Sequence, residues 1–308
     1  MASNFPRASG KTDIGSDLMR MIPILYAGKL LVKYYDASVL NVITNTTYEG
    51  TISEYGDKVF IRTTPDMVIR DYVKGQTLVN DQPESTATSL TIDKGKYWSF
   101  VSDDVDRKQT DVKQWIEAWT DDAAEQMKIN IDTDVLANVL ADAHASNVGA
   151  AAGVISGGIA LGVTTTPLTM TAGTILEKIV DMGVVLDEQN VPETGRFLVM
   201  NPLLSALVKK SDLRDASIAG DATSLLRNGM LGMIDRFTLF NSNLLAGDNT
   251  NGYACIFGHS DAITFATQLV KSKTQDNPNG FGLLHRGLQV YGYDVVKPEA
   301  LGVAYLIV

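Results

Sequence analysis

Cysteine is almost missing from this chain: its 308 residues include one, Cys255. A disulfide needs two, so no internal bridge staples the fold, which suits a reducing compartment. Histidine is scarce too. His144, His259 and His285 stand in unrelated contexts, none spaced with another His, a Cys or a carboxylate in a metal-ligand pattern. No run reaches the roughly 18 consecutive apolar residues of a membrane span, and residues 1–15 lack the apolar core of a secretory signal. Positive charge is also in short supply, with 26 Lys and Arg against 36 Asp and Glu, a net charge of -10. So acidic a chain repels phosphate backbones, and any partnership with nucleic acid is indirect, such as enclosing it.

What the chain does have is a long helical pattern over residues 110–146. Thr110 or Asp111 can cap it, with Asp111 and Glu117 near the positive end of the dipole. Trp115, Trp119, Ala123, Met127, Ile131, Val135 and Val139 recur every four residues, and Val112, Ile116, Leu136, Leu140 and Ala143 widen the stripe. At full length the helix would span roughly 50 Å. Its other face carries Lys113, Asp121, Asp122, Glu125, Lys128, Asp132 and Asp142. His144 near its end complements the dipole.

The flanking chain differs in kind. Residues 1–17 are polar and aperiodic and read as a flexible arm. Leu25, Leu30, Leu31, Tyr34, Tyr35 and Val39 predict a short amphipathic helix within 22–42. Residues 45–109 alternate as strands: Val59, Ile61 and Thr63; then Val68, Arg70 and Tyr72; then Leu90 and Ile92. Asp93-Lys94-Gly95-Lys96 reads as a turn before the strand Tyr97-Trp98-Ser99-Phe100-Val101. The middle of this hairpin, 74–89, is polar and offers little to a core. So much β-rich chain between two helices projects from the body, which makes sense if it lies across a neighbouring subunit.

Residues 149–171 are rich in Gly and Ala but lack the Gly-Lys-Ser/Thr ending of a phosphate loop, so an irregular connector is expected. A helix follows over 171–189. The strand Arg196-Phe197-Leu198-Val199-Met200 leads into a helix capped by Asn201, with Pro202 in its first position and Lys209 and Lys210 at its negative end. Residues 211–226 read as a loop. Further strands are expected near 231–240, 253–257 and 262–270, a break at 276–282, and paired strands from 287 to the apolar C-terminus.

Catalytic parts are thin. Cys255 sits among strand residues and reads as packing. Ser260, between His259 and Asp261, is a triad only on paper, because three consecutive side chains cannot converge as a triad does. Asp103-Asp104 and Asp121-Asp122 read as a solvated helix start and a solvated helix face. No catalytic residue, cofactor site or metal site is predicted.

The order of these parts resembles the major capsid protein of tailed bacteriophages. Local wording agrees. Tyr48-Glu49-Gly50 through Lys58-Val59-Phe60-Ile61-Arg62 is similar to the start of that family's extended loop, and Tyr97 through Asp103 to its end. Val199-Met200-Asn201-Pro202 with Leu204 and Leu207 resembles the strand and helix of its axial domain. Residues 229–239 with Asn241-Ser242-Asn243 resemble the turn that follows. The resemblance implies an α+β chain with the Hong Kong 97-type capsid fold: N-terminal arm, extended β-hairpin loop, long spine helix, peripheral and axial domains. It divides the chain into an arm (1–21), an N-terminal helix region (22–50), the extended loop (51–109), the spine helix and peripheral domain (110–187), the axial domain (188–262) and a return to the peripheral domain (263–308). No large scaffolding segment precedes residue 20, so a fused internal scaffold is not expected.

The implied function is a coat protein assembling into pentamers and hexamers of an icosahedral shell around a genome, with no membrane. Implied partners are other copies of itself and scaffold, portal and decoration proteins, with DNA enclosed but not read. Arg62, Arg70 and Lys74 on the β arm, facing Asp121, Asp122 and Glu125 of a neighbour, are the candidate inter-subunit contacts. Two rival readings stay open: a nanocompartment shell of the same fold enclosing protein cargo, and a cytoplasmic hydrolase with an unrecognised site.

Overall fold

The long helix is real but shorter than its spacing predicts. The computed structural model describes residues 38–47, 58–62, 64–65, 67–82, 84–85, 87–109, 115–211 and 232–308. The N-terminal arm, most of the 22–42 helix, the 110–114 cap and nearly all of the 211–226 loop lie outside these residues.

In chain order the elements are α1 (Leu40–Ile43), β1 (Thr44–Asn45), β2 (Lys58–Arg62), β3 (Ala87–Thr91), β4 (Lys94–Asp103), α2 (Asp104–Gln109) and α3 (Trp115–Asn138). Then come β5 (Leu168–Thr169), α4 (Ile175–Glu188), β6 (Arg196–Met200), α5 (Pro202–Lys210), β7 (Met233–Ile234) and β8 (Phe237–Asn241). The chain closes with β9 (Gly247–Asp248), β10 (Gly252–His259), β11 (Ile263–Asp276), β12 (Gly282–Val295) and β13 (Leu301–Ile307).

Helix α3 holds 24 residues, about 36 Å at the α-helical rise. Its end tightens into a 3-10 turn over Val139–Asp142, and the chain then turns away. His144 is not a helical residue complementing the dipole. Its Nδ1 accepts the Ser146 N–H at 3.2 Å, capping the next short turn. Burial along α3 is uneven. Ile131, Val135, Leu136 and Val139 are fully buried, whereas Trp119 is 47% exposed. A four-residue row advances about 40° per step around an α-helix, so one straight contact cannot bury the whole row. Asp132, read as a solvated residue, is buried: it lies between Ile131 and Val135 on the core side.

Two sheets organise the body. The first has the order β1-β11-β12-β4, with β1 parallel to β11 and the rest antiparallel. The second has the order β5-β13-β10-β6-β8-β7, with β9 on β10. The apolar C-terminus is paired as expected, with β13 lying between β5 and β10. It therefore shares a sheet with β6 and β8, while β11 and β12 join the first.

Strand β6 is buried at every residue, as a central strand should be. Asn201 caps α5 by accepting the Leu203 N–H at 2.9 Å, and Pro202 takes the first turn. A buried arginine, Arg196, braces this region. Its guanidinium donates to Asp187 Oδ1 (2.7 Å) and to the carbonyls of Val191 (2.6 Å) and Pro192 (2.9 Å). Asp187 also takes Arg236 at 2.9 Å through its other oxygen. Arg236 and Asp235 have φ of 68° and 45°, the left-handed pair that a two-residue β7–β8 hairpin requires. Glycine-rich residues 149–167 form short bridges, not a helix or strand. Their amides bind an internal carboxylate instead of a phosphate: Glu188 accepts from the N–H groups of Ile155 (2.8 Å) and Ser156 (3.1 Å).

Candidate assembly surfaces

The arm expected from the sequence begins as the two-stranded pair β2–β3, in register from Lys58↔Thr91 to Arg62↔Ala87. Ile61, Leu90 and Ile92 pack on Ala266 and Val290, which seats this root on the first sheet. Gly292 permits the approach: a Cβ there would stand 2.2 Å from the Thr91 carbonyl. Beyond the root the ladder stops. Val68, Arg70 and Tyr72 alternate as a strand would, yet residues 67–73 pair with no strand among the described residues. Alternation alone supplies no partner, and an isolated extended segment has its backbone satisfied by water.

Residues 67–82 close on themselves. Arg70 grips Asp81 with both terminal nitrogens, at 2.5 and 3.0 Å. The Gln76 N–H donates to the Val73 carbonyl at 3.1 Å, closing a turn at Lys74 and Gly75. This clasp leaves apolar side chains in water: Met67, Val68, Ile69, Tyr72, Val73, Leu78 and Val79 are all exposed, Ile69 by 90%. Monomers rarely leave so much apolar surface in one place, and such patches mark interaction sites.

The six contact candidates separate as follows. Arg70 already holds Asp81 in its own chain. Glu125 already holds Lys128, at 2.5 Å. Arg62 and Lys74 are exposed on the arm, and Asp121 is exposed and Asp122 half-buried on α3. Among the described residues neither Arg62 nor Lys74 has a carboxylate partner.

Two clusters absent from the sequence-based expectations hold α3 on the first sheet. In one, Asp134 Oδ2 accepts from Lys94 Nζ (3.0 Å) and from the Tyr291 hydroxyl (3.0 Å), while Lys94 also reaches the Tyr293 hydroxyl. Burial opposes ionisation of Asp134, but these hydrogen bonds and the charge of Lys94 outweigh it and lower its pKa. Burial likewise opposes the Lys94 ammonium, and its bonds to Tyr293 and Asp134 outweigh that and raise its pKa. Lys94 opens β4 instead of sitting in the predicted 93–96 turn. In the other cluster Phe100 stacks on Trp98 (5.6 Å) and His285 (4.9 Å) and meets Trp119 edge-on at 5.7 Å. Trp115 meets Trp119 at 4.5 Å. The four-residue period of tryptophans was the visible signal; Trp119 meets Phe100 of β4, and His285 of β12, which backs Phe100, is too distant in sequence to be read.

The residues that could suggest catalysis stay apart. Burial pushes the Cys255 thiol up to about 12, an inert group inside β10. His259 Nδ1 accepts the Asp261 N–H at 3.1 Å, a local turn. Nδ1 and Nε2 of His285 meet the hydroxyls of Thr274 and Ser102. Among the described residues no three His, Cys, Asp or Glu side chains stand together as a metal site, and no helix is long and apolar enough to cross a membrane.

The fold with its arm is that of known shells. A family model described as phage capsid protein matches residues 85–305. A solved structure from Mycobacterium phage Che8 is 26% identical, with a TM-score of 0.76 over 92% of this chain and 96% of that one. The capsid of cyanophage P-SCSP1u is 13% identical, with a TM-score of 0.75 over 99% of both chains. The capsid of Myoviridae phage XM1 is also 13% identical, with a TM-score of 0.61 over 97% of this chain and all of that one. No curated protein sequence matches the chain. With the family model covering well over half of its length and the Hong Kong 97-like fold in place, the chain belongs to the phage capsid protein family and is a major capsid shell protein.

Proposed function

We propose that copies of this chain close as hexamers and pentamers into an icosahedral shell around a phage genome, with the arm of each copy laid across its neighbour. The observation that carries this reading is the arm itself. Seven large apolar side chains within residues 67–79 are exposed, on a segment clasped by Arg70 and Asp81 whose root packs on the first sheet. A buried core cannot form from one such segment; a second subunit beneath it can supply the missing half.

Arg62, Arg70 and Lys74 then face acidic surface of the neighbour, with Asp121, Asp122 and Glu125 of α3 as the partners proposed. The segments 1–21, 22–50, 51–109, 110–187, 188–262 and 263–308 serve as arm, N-terminal helix region, extended loop, spine with peripheral domain, axial domain and peripheral return. The role is structural, without catalysis. Many modest contacts per subunit suit assembly, because each can be broken and corrected while the ensemble holds. The net charge of -10 leaves an enclosed genome mobile. Assembly takes place in the host cytoplasm, with scaffold, portal and decoration proteins as further partners.

The test is replacement of residues 67–82 by a short Gly-Ser linker. The expected product is a folded chain with parental far-ultraviolet circular dichroism that forms no shells in negative stain. Shells of parental size and yield would sink the arm's proposed role. Nucleic acid rather than protein cargo inside purified particles separates a virion shell from a nanocompartment.

A further inference from the structure

The first sheet has one face covered by α3 and another only half covered. Trp98, Phe100, His285 and Tyr291 point to the α3 side. On the opposite side the arm's root covers Val290 and Ala266. Farther along, no described residue covers that side over the rungs Lys271↔Leu288↔Tyr97 and Lys273↔Arg286↔Ser99. Tyr97 is 79% exposed and Leu288 38%, and Lys271, Lys273 and Arg286 are exposed as well.

The charge arrangement here runs against local stability. Lys273 and Arg286 are directly opposed across antiparallel strands, and like charges in that position repel. Lys271 adds a third cation two residues away on the same face. Among the described residues none of the three has a carboxylate partner, in a chain with an excess of acids. Lysines commonly guard an edge strand against unwanted pairing, and among the described residues the far half of β11 is such an edge, since β1 pairs only with Ile263 and Thr264. That explains Lys271 and Lys273. It does not explain Arg286, which lies on the strand between β11 and β4, or the bare Tyr97 beside it.

We infer that this bare half-face is an interface with a second copy of the chain, which brings a carboxylate-bearing and partly apolar surface onto Lys271, Lys273, Arg286, Tyr97 and Leu288. A shell surrounds every copy with others, and the net charge of -10 makes the rest of each copy complementary to a cationic patch. Tyr97 and Leu288 favour protein over a phosphodiester backbone, which would meet the cations and leave the apolar groups wet. The inference rests on the shell function but not on the arm.

The test compares shells with the unassembled chain. Acylation of Lys271 and Lys273, read by mass spectrometry, is expected to slow about tenfold in shells, the factor for roughly 1.4 kcal/mol of protection. In shells mixed from light and heavy-nitrogen chains, a zero-length carbodiimide is expected to join Lys271 or Lys273 to an Asp or Glu of the other isotope. The variant K273E places a carboxylate opposite Arg286, so the unassembled chain keeps or gains thermal stability while shell yield falls. K273E/R286E is expected to fall further. Equal acylation in both states, or K273E/R286E shells with parental yield and salt response, would overturn the inference. Normal shells that lose nucleic acid would assign the face to the genome instead and overturn it as well. Failure of the arm deletion to affect assembly would leave this face untouched, so the two readings fail separately.

Discussion

The Asp132 carboxylate accepts the Val39 N–H at 3.0 Å, tying the middle of the long helix to a residue 93 positions earlier. It thereby serves as a cap supplied from outside for the one-turn helix α1, whose preceding residue, Val39, has no side-chain cap of its own. The same carboxylate takes hydrogen bonds from Ser38 and from the Leu40 backbone. This buried acid joins the region that leads to the arm to the spine, beside the packing of Val39, Leu40 and Ile43 into the core with Ile131 and Val135.

Replacing Asp132 tests that tie. D132A is expected to cost about 1–2 kcal/mol, from the lost cap and the unpaired amides. Burial raises the Asp132 pKa above its ordinary value and its hydrogen bonds only partly offset this. The folded state therefore holds the proton more tightly than the unfolded chain. The contribution is present below the ordinary carboxylate pKa and is lost as pH rises through the raised folded value. D132N keeps an acceptor and removes that decline. Urea titrations at a series of pH values check both statements.

Asp134 and Asp187 have the opposite sign. Burial opposes their ionisation, but Lys94 and Tyr291 for one, and Arg196 and Arg236 for the other, hold their pKa values below the ordinary range. Their contribution is present above the unfolded pKa and is lost as pH falls through the lowered folded values. The chain is expected to weaken in acid, and D134N to show a shallower acid limb. Identical acid profiles for D134N and parent would remove Asp134 from the account.

Arg196 is buried with its charge met by one carboxylate and several carbonyls. R196M leaves Asp187 with Arg236 alone and the Val191 and Pro192 carbonyls without their donor. Asp187 is 38% exposed and keeps Arg236, so the expected cost is that of the orphaned carbonyls, about 1–3 kcal/mol. Chemical denaturation should show a lower midpoint, and no shells should form at physiological temperature.

Gly292 tests the seating of the arm. In G292A the new methyl meets the Thr91 carbonyl at 2.2 Å and the Ile92 Cα at 2.9 Å, backbone atoms that cannot rotate away. The expected cost is about 1–3 kcal/mol, with faster hydrogen exchange confined to 58–62 and 87–92. Exchange unchanged there would show that the root tolerates displacement.

Arg70 tests the clasp. The pair with Asp81 is exposed on both sides, so R70E should cost the isolated chain less than about 1 kcal/mol. A larger effect on shell yield and its salt dependence then reports on assembly. R70D/D81R restores the clasp with reversed polarity and should recover the arm's shape but not any contact made by the arginine itself. Assembly unchanged by R70E counts against a contact role for Arg70.

Local chemistry determined much of this protein from sequence alone. Asn201 and Pro202 start α5 because a cap and a missing N–H act within one turn. Ile175, Ile179 and Leu186 declare α4 by their spacing, and alternation from residue 287 onward places the later part of β12 and β13. Where a property depended on a partner distant in sequence, only the tertiary structure decided it. Asp132 reads as a surface acid until α1 is laid over it, and Arg196 as a strand end until Asp187 and Arg236 arrive. Alternation at Val68, Arg70 and Tyr72 promised a strand, but a strand exists only through a ladder, and among the described residues no neighbour supplies one. Periodicity reports which side of an element is apolar; what covers that side is a property of the assembled chain.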